Sequence, residues 1–314
     1  MNTNAPTSPM PLTPTSTVPA ARTAPRAFCI TSSTTERPAR IQGVHGTVGW
    51  SGWKALAARR HLQAPIEAVE WATIPAGGIS GEHLHSRTEE IYLILRGHGD
   101  FLLDGTAHPV HPGSLAFTGL GHVHGLVSTR GERIEWLVIE TLAAITQERY
   151  RRSTDEGSSA ELLPQTSALA ERGHQSHPAT TGTTNTHGTT RAPRTAGSTP
   201  HQLPGSTGGI AVGHAVIVDL NDQPVIDASD IFTGPLRRVE RCVLAAGEQR
   251  CFGQDDAETV IFIDDGTLQT NIAGEEHLRT GSCLTLPAGE KLLVGAQQHS
   301  RLYVITLVVP SGQP

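Results

Sequence analysis

Aromatic residues and long apolar runs are scarce in this sequence. Phe, Trp and Tyr make up 4% of the 314 residues, and no stretch is apolar for long enough to span a bilayer. The first residues also lack the basic segment and apolar core that a secretory signal needs. The four cysteines form no CxxC pair, so neither a disulfide framework nor a zinc ribbon is indicated. We therefore expect a cytoplasmic protein with reduced thiols.

A strong charge of either sign is also missing. The formal net charge is −6, from 24 Lys and Arg residues and 30 Asp and Glu residues, and the arginines are scattered along the chain. Nucleic acids and anionic membranes are bound by concentrated basic surfaces. The sequence thus predicts no nucleic-acid partner and no membrane partner, and it favours a small, soluble molecule as the substrate.

Glycine and proline are frequent, with 33 and 21 residues, which favours short strands joined by turns. Residues 40–150 contain short apolar runs, such as IEAVEWATI and IYLILRG, and turn signals such as Asp104-Gly105 separate them. Residues 208–310 repeat this plan. We predict an all-β protein of two antiparallel units, with one short helix over residues 53–62.

Two polar tracts lie outside these units. The first is rich in Thr, Pro, Ala and Ser, and the second is rich in Thr, Gly, Ser and His. Neither tract has enough apolar surface to offset the entropy cost of ordering the chain. We predict a disordered tail over 1–38, an ordered domain over 39–152, a disordered linker over 153–207 and a second ordered domain over 208–314.

One short region has a group of residues suited to binding a metal ion. His83 and His85 are two apart, so their side chains face the same side of an extended strand. Glu90 precedes the apolar run IYLIL, where a carboxylate is costly to bury unless a metal or hydrogen bonds satisfy it. Further along, His122 and His124 share one strand face, and either residue completes a set of four ligands.

Residues 77–97 resemble the first sequence motif of the cupin superfamily. The first motif of that superfamily is G-x5-H-x-H-x(3,4)-E-x6-G. It is matched without a gap by Gly77, His83, His85, Glu90 and Gly97. All five of its defined positions, including three candidate ligands, are present at the family's spacing, which makes this a specific match.

The second cupin motif is G-x5-P-x-G-x2-H-x3-N. Gly113, Gly121 and His124 match it. Gly119 stands where proline is usual, and Ser128 stands where asparagine is usual. Neither departure removes a ligand, so the resemblance implies that His124 is the fourth ligand.

The resemblance implies two small antiparallel β-barrels of the cupin or jelly-roll type, which the linker joins. It also implies one metal ion inside the first barrel, bound by three histidines and one glutamate. Such nitrogen and oxygen donors suit divalent transition metals without selecting among them. Fe(II) is the preferred ion, and Mn, Ni, Zn and Cu are the alternatives.

The second unit lacks this ligand set. Its corresponding positions hold Gly253, Asp255, Thr259 and Leu292, while residues 281–289 keep the glycine and proline frame of the second motif. Glycine and leucine cannot coordinate a metal through their side chains, so we expect a barrel without an ion. Two-barrel cupins often use such a barrel for packing or dimerisation, and the resemblance implies a homodimer formed through barrel edges.

Two further residues are candidates for catalysis. Tyr92 shares the strand face of Glu90, and His122 shares that of His124, so both are expected to point into the barrel. An imidazole titrates near neutral pH, which suits His122 to general acid or base catalysis. The alternative interpretation of His122 is a surface or strand-end histidine.

The expected activity is that of a metal-dependent enzyme acting on a small molecule. Sites of this kind support dioxygenation, isomerisation, cyclisation and decarboxylation within the superfamily, and the fold does not choose among them. We prefer oxidative, dioxygenase-like chemistry in the biosynthesis of specialised metabolites. The alternatives are a metal-dependent isomerase or cyclase, and a non-catalytic module that binds a small molecule or a sugar.

Overall fold

The computed structural model describes residues 29–47, 49–155, 213–272 and 277–310. Within them the chain forms twenty-one β-strands, one α-helix and two short 3-10 turns. The predicted all-β class is confirmed. The four cysteines are free thiols, as the missing CxxC pairs indicate. The predicted linker lies outside the described residues from residue 156 onward.

Most strands are four to nine residues long and follow one another through short turns. The strands of the first half are β1 (Thr31–Thr34), β2 (Ala39–Gln42), β3 (Trp50–Ala58), β4 (Ile66–Ile74), β5 (Ile79–Leu84), β6 (Thr88–Arg96), β7 (Gly99–Leu103), β8 (Thr106–Val110), β9 (Ser114–Thr118), β10 (Val123–Val127) and β11 (Ile134–Leu142). The helix α1 (Ala144–Asp155) follows β11.

The second half repeats the plan. Its strands are β12 (Ala215–Asp219), β13 (Val225–Asp227), β14 (Leu236–Leu244), β15 (Gln249–Phe252), β16 (Ala257–Asp265), β17 (Thr267–Thr270), β18 (His277–Arg279), β19 (Ser282–Leu286), β20 (Leu292–Ala296) and β21 (Ser300–Val308).

Each barrel consists of two antiparallel sheets that enclose an apolar core. In the first barrel, the sheet β12-β9-β6-β11-β4-β3-β2 faces the sheet β5-β10-β7-β8. In the second barrel, the sheet β1-β19-β16-β21-β14-β13 faces the sheet β15-β20-β17-β18. The outer faces of the two large sheets pack on each other and form a third core, which both halves of the chain share.

The two barrels exchange one strand each. β1 pairs with β19 of the second barrel, and β12 pairs with β9 of the first. The predicted tail over 1–38 therefore includes an ordered strand. The polar sequence of β1 has no apolar periodicity, but its backbone is paired and Ser33 Oγ donates a hydrogen bond to the carbonyl of Leu56 (2.7 Å). Backbone pairing orders this segment without help from an apolar pattern.

β6 is buried on both faces, which explains its continuous apolar run. Ile91, Leu93 and Leu95 belong to the core that the two barrels share. Tyr92 and Ile94 belong to the core inside the first barrel. A strand with one solvated face would alternate apolar and polar residues, whereas a strand with two covered faces does not.

Two buried glutamates accept hydrogen bonds across the interface between the barrels. Glu89 of β6 accepts hydrogen bonds from the backbone N–H groups of residues 233–234, at 2.9 and 2.7 Å. Glu258 of β16 accepts hydrogen bonds from the N–H groups of residues 63–64, both at 2.8 Å. Each barrel thus binds a loop of the other through the same position in its central strand.

The predicted helix over residues 53–62 is wrong. This segment forms most of β3 and a 3-10 turn at Arg59–His61. Its alanines and leucines favour a helix locally, but β3 pairs with both β2 and β4, and such tertiary pairing overrides a weak propensity. The described residues contain no helix that is long and apolar enough to cross a bilayer.

Candidate metal centre

The first barrel brings His83, His85, Glu90 and His124 together. His83 on β5 lies opposite His124 on β10 in the antiparallel register. His85 lies in the turn between β5 and β6, and Glu90 is the third residue of β6. β5 has one extra residue relative to β10 just before His83, and a β-bulge of this kind changes the direction of the side chains that follow it.

The four candidate ligand atoms face one another inside the barrel. Nε2 of His85 and Nε2 of His124 lie 3.0 and 2.9 Å from Oε2 of Glu90. Nε2 of His83 lies 3.2 Å from Nε2 of His85 and 3.8 Å from the same Glu90 oxygen. All four atoms lie within 4.8 Å of one another.

Hydrogen bonds at Nδ1 determine which ring nitrogen is free. Nδ1 of His83 donates to the carbonyl oxygen of Gly81 at 3.1 Å. Nδ1 of His85 donates at 3.2 Å to Oγ1 of Thr88, which in turn donates to Oε1 of Glu140 at 2.7 Å. In a neutral imidazole that donates from Nδ1, Nε2 has a lone pair. Both rings therefore present an electron-pair donor to the cluster.

The remaining two ligand atoms are buried without a hydrogen bond. Nδ1 of His124 lies 2.6 Å from Oγ1 of Thr118, whereas its Nε2 has no hydrogen-bond partner. Oε2 of Glu90 likewise has none, although Nε2 of His124 is close to it. Lone pairs of buried nitrogen and oxygen atoms repel one another when no proton lies between them. A divalent cation placed among the four candidate ligand atoms would bind all of these lone pairs. The residues present therefore fit a metal ion.

Comparisons with known proteins agree with this geometry. A family model described as "Cupin domain" matches residues 70–140, which contain all four candidate ligands. The chain is 28% identical over 102 residues to an oxalate-binding protein of Thermotoga maritima, and the match covers 32% of this chain and 84% of that protein.

Solved structures resemble the chain over most of its length. A bacterial pirin of Escherichia coli, solved in complex with nickel(II), is 12% identical with a TM-score of 0.53, over 90% of this chain and 100% of that chain. A deletion mutant of Bacillus subtilis oxalate decarboxylase is 12% identical with a TM-score of 0.52, over 93% of this chain and 80% of that chain. The chain therefore contains a cupin domain and has the two-barrel fold of these structures.

Burial and charge set the protonation states at the candidate metal centre. Burial alone raises the pKa of Glu90, but the three histidines around it hold that pKa well below its usual value. Burial lowers the pKa of His124 to about 3, against the opposing effect of Glu90. An ionised carboxylate and a neutral imidazole are the forms that bind a cation.

Tyr92 lies behind the ligands, on the face of β6 that it shares with Glu90. Its ring centroid is 4.7 Å from that of His124, and its side chain also contacts Phe101 and Trp136. Burial and the charge of Glu90 raise the pKa of Tyr92 well above its usual value. The phenol therefore keeps its proton. Its role in catalysis stays a prediction.

His122 is not part of the candidate ligand cluster. β10 begins at Val123, so His122 lies in the preceding turn and the strand-face argument does not apply to it. Its Nδ1 bonds Oδ2 of Asp104 at 2.7 Å, and its Nε2 bonds the carbonyl oxygen of Gly213 at 2.9 Å. Its backbone supports the site, because its carbonyl accepts from the N–H of His85 at 3.1 Å. No ring nitrogen is left for a substrate, and a catalytic role of His122 stays a prediction.

The second barrel has apolar residues at the positions of His83 and His124 in the first. Leu292 lies opposite Phe252, as His124 lies opposite His83, and both Leu292 and Phe252 are buried. Phe252, rather than the predicted Gly253, takes the place of His83, because β15 pairs with β20 without the bulge of β5. Among the described residues, the second barrel has no group of side chains that could hold a metal ion.

Sequence reasoning missed three residues around the ligands. His45 stacks on His83, while Thr118 and Glu140 are linked to the ligand rings through hydrogen bonds. The only signal for Glu140 is a carboxylate within the apolar run IEWLVIETL. It lies directly opposite Glu90 once β11 pairs with β6. No local pattern marks the other two residues.

Proposed function

We propose that this cupin is a metal-dependent enzyme whose first barrel acts on a small molecule that binds the ion through oxygen atoms. One observation supports the proposal most directly. Three imidazole nitrogens and one carboxylate oxygen converge, and Nε2 of His124 and Oε2 of Glu90 are buried without a hydrogen bond. Unsatisfied buried polar atoms are rare, and a cation bound here would account for them.

A divalent transition metal bound by these four residues would supply Lewis-acid chemistry and open coordination positions. The interior behind the ligands is filled by buried side chains such as Tyr92, Phe101 and Trp136, so only a small molecule fits against the ion. The protonated phenol of Tyr92 suits it to donating a hydrogen bond to an oxygen-rich substrate. Fe(II) with dioxygenase-like chemistry is the reaction class that we put first.

Small carboxylates are the first substrates to test. They are oxygen-rich chelators, which suits an ion with open positions. The Thermotoga maritima relative, which is 28% identical over 102 residues, is named for binding oxalate. A role in the biosynthesis of specialised metabolites and a cytoplasmic location are parts of the proposal that rest on the sequence alone.

A second candidate is a non-catalytic module that binds a small molecule. The name of the Thermotoga maritima relative, an oxalate-binding protein, favours this alternative. The same ligand cluster would then retain the molecule without converting it. A metal-dependent isomerase or cyclase differs from the first proposal only in consuming no oxygen.

The full-length chain loaded separately with Fe(II), Mn(II) and Ni(II) distinguishes these functions. Oxalate and related small carboxylates are added, and calorimetry measures binding while an oxygen electrode and product analysis measure turnover. Turnover that requires the metal supports the enzyme, and oxygen uptake supports the oxidative class. Binding without conversion supports the module. A chain that takes up no metal at all would refute both candidates.

A further inference from the structure

The first half of the chain has a segment that the second half lacks. β1 and β12 are the exchanged strands, and each is followed by a strand that pairs with the barrel, β3 with β4 and β13 with β14. Between β1 and β3, residues 35–47 build β2 and a 3-10 turn, whereas residues 220–224 connect β12 to β13 directly. The additional segment therefore belongs to the barrel that has the metal ligands.

This segment places His45 in an unusual backbone conformation. His45 has φ 52° and ψ 40°, which is the left-handed region that residues with a side chain rarely adopt. Gly43 and Gly46 on either side have φ 71° and 76°, where glycine has no penalty. Such strain in a residue other than glycine persists only when the surroundings impose it, and it clusters at functional sites.

The turn is packed against β5, immediately before the first ligand. A Cβ atom on Gly81 would lie 2.3 Å from the carbonyl oxygen of His45, so the close approach requires glycine there. Oγ1 of Thr47 lies 3.3 Å from the carbonyl oxygen of Ile79. Gly81 is also the residue whose carbonyl accepts from Nδ1 of His83. Gly81 therefore contacts the turn and also accepts a hydrogen bond from the candidate ligand His83.

The imidazole of His45 covers one face of His83. The two ring centroids are 3.7 Å apart and the ring planes differ by 5°. The side chain of His83 is 12% exposed, against 4% for His85 and 0% for His124, so solvent reaches the cluster from the side of His83. His45 is itself exposed and stands on that side.

We propose that His45 is a positioning residue of the metal centre, which holds the ring of His83 in its ligand orientation and narrows the approach to the ion. Stacking leaves the ring edge with Nε2 free, so His45 stabilises the ligand without competing for the cation. The inference rests on the proposed metal-dependent function and adds a residue outside the cupin motifs. It also gives a reason for the strain at His45 and for the segment that only the first half contains.

The test uses the full-length chain loaded with cobalt(II), whose visible absorption reports the geometry of its ligands. His45→Gly removes the ring and suits the positive φ, so the metal-free variant should unfold at or above the wild-type temperature. Its release of cobalt to a competing chelator should be faster by about tenfold or more, in the range of losing an outer partner of a ligand. Its absorption spectrum should also change.

Two further variants complete the test. His45→Phe keeps an aromatic face for stacking and should release cobalt at a rate close to wild type. His98→Ala removes an exposed histidine that bonds only Glu132 on the surface, and should have no effect. Wild-type release and spectrum in His45→Gly would overturn the inference while leaving the proposed function intact. A wild-type chain that binds no cobalt would overturn the proposed function and the inference together.

Discussion

His124 and His122 lie two residues apart but bond to different parts of the molecule. His124 is fully buried and presents Nε2 to the ligand cluster. His124→Ala removes one of four ligands, so metal affinity should fall by more than the ~10–100-fold typical of losing an outer partner. Elemental analysis after dialysis, together with a chelator competition, measures this loss. Retention of wild-type affinity would mean that His124 is not a ligand.

His122→Ala serves as the matched substitution. It should leave the metal content unchanged, because its side chain bonds Asp104 and the carbonyl of Gly213 rather than the cluster. The loss of these hydrogen bonds should lower the free energy of unfolding by about 0.5–1.5 kcal/mol, measured by urea denaturation. A drop in turnover of ~10²–10⁴-fold with the metal retained would contradict this expectation and identify His122 as an acid or base.

Glu70 is a carboxyl group inside the first barrel that the ligand cluster does not use. It lies on β4, and Nε1 of Trp53 donates a hydrogen bond to it at 2.8 Å. Burial raises the pKa of Glu70 to about 7, with contributions from the charges of Glu140 and Glu90 and against the effect of the Trp53 bond. The folded protein therefore retains a proton here that the unfolded chain releases at lower pH.

This raised pKa predicts a pH dependence of stability. The contribution of protonated Glu70 is fully present below about pH 4.5 and is lost as the pH rises through about 7. Glu70→Gln stays neutral, so between pH 5 and pH 8 the metal-free variant should lose about 1–2 kcal/mol less unfolding free energy than wild type. Urea unfolding at the two pH values measures the difference. Glu67→Gln on the same strand is the control, and equal losses in Glu70→Gln and wild type would contradict the prediction.

At the scale of strands and loops, the reciprocal carboxylates of β6 and β16 join the two barrels. Glu258 is buried and accepts from two backbone N–H groups of the loop at residues 63–64. Burial raises its pKa, against those two hydrogen bonds. A buried carboxylate that satisfies two N–H groups cannot be replaced by an amide without placing donor against donor.

Glu258→Gln should therefore lower the free energy of unfolding by about 1–3 kcal/mol, the penalty for an unsatisfied buried group. Its metal affinity should remain that of wild type, because the ligands belong to the other barrel. Glu248→Gln is the matched control, since Glu248 accepts from the backbone N–H of Ala245 but is exposed. Denaturation of the two variants measures the change in the free energy of unfolding that each substitution causes. Equal free energies of unfolding for Glu258→Gln and Glu248→Gln would show that the Glu258 carboxylate does not join the barrels.

At the scale of the whole molecule, the two barrels are interlocked. Each contributes a strand to a sheet of the other, and the outer faces of the large sheets share one core. The barrels are therefore not independent domains joined only by the segment between them. Separating them would expose apolar surface and unpair the backbone of β1 and β12.

This arrangement predicts the outcome of limited proteolysis. The composition of residues 156–207 predicts cleavage there, so two fragments should appear on a denaturing gel. The fragments should nevertheless elute together in gel filtration, because the exchanged strands and the shared core hold them. Fragments that separate without denaturant would contradict the interlocked arrangement.

Metal stoichiometry tests the difference between the two barrels. Only the first has a ligand group among the described residues, so elemental analysis should find about one ion per chain after loading and dialysis. Close to two tightly bound ions would mean that the second barrel also binds metal. Light scattering on the same sample tests the predicted homodimer through barrel edges.

The sequence by itself determined the all-β class, the four candidate metal ligands and the half of the chain that contains them. These features depend on residues that are close along the chain. His83 and His85 face one side because successive side chains alternate on a strand, and His124 follows a glycine turn in a recognisable motif. The second half could be identified as a barrel without ligands for the same reason, since Leu292 cannot coordinate a metal.

Only the tertiary structure decided how the halves interlock and what surrounds the ligands. β1 joins the second barrel through backbone hydrogen bonds, which nearly every residue can make, so no side-chain pattern marks it. The β-bulge of β5 shifted the equivalence of His83 from Gly253 to Phe252, because register is a property of paired strands. His45 reaches His83 only because a strained turn packs on Gly81. Contacts between residues far apart in sequence depend on the packing of the whole chain, and local spacing does not encode them.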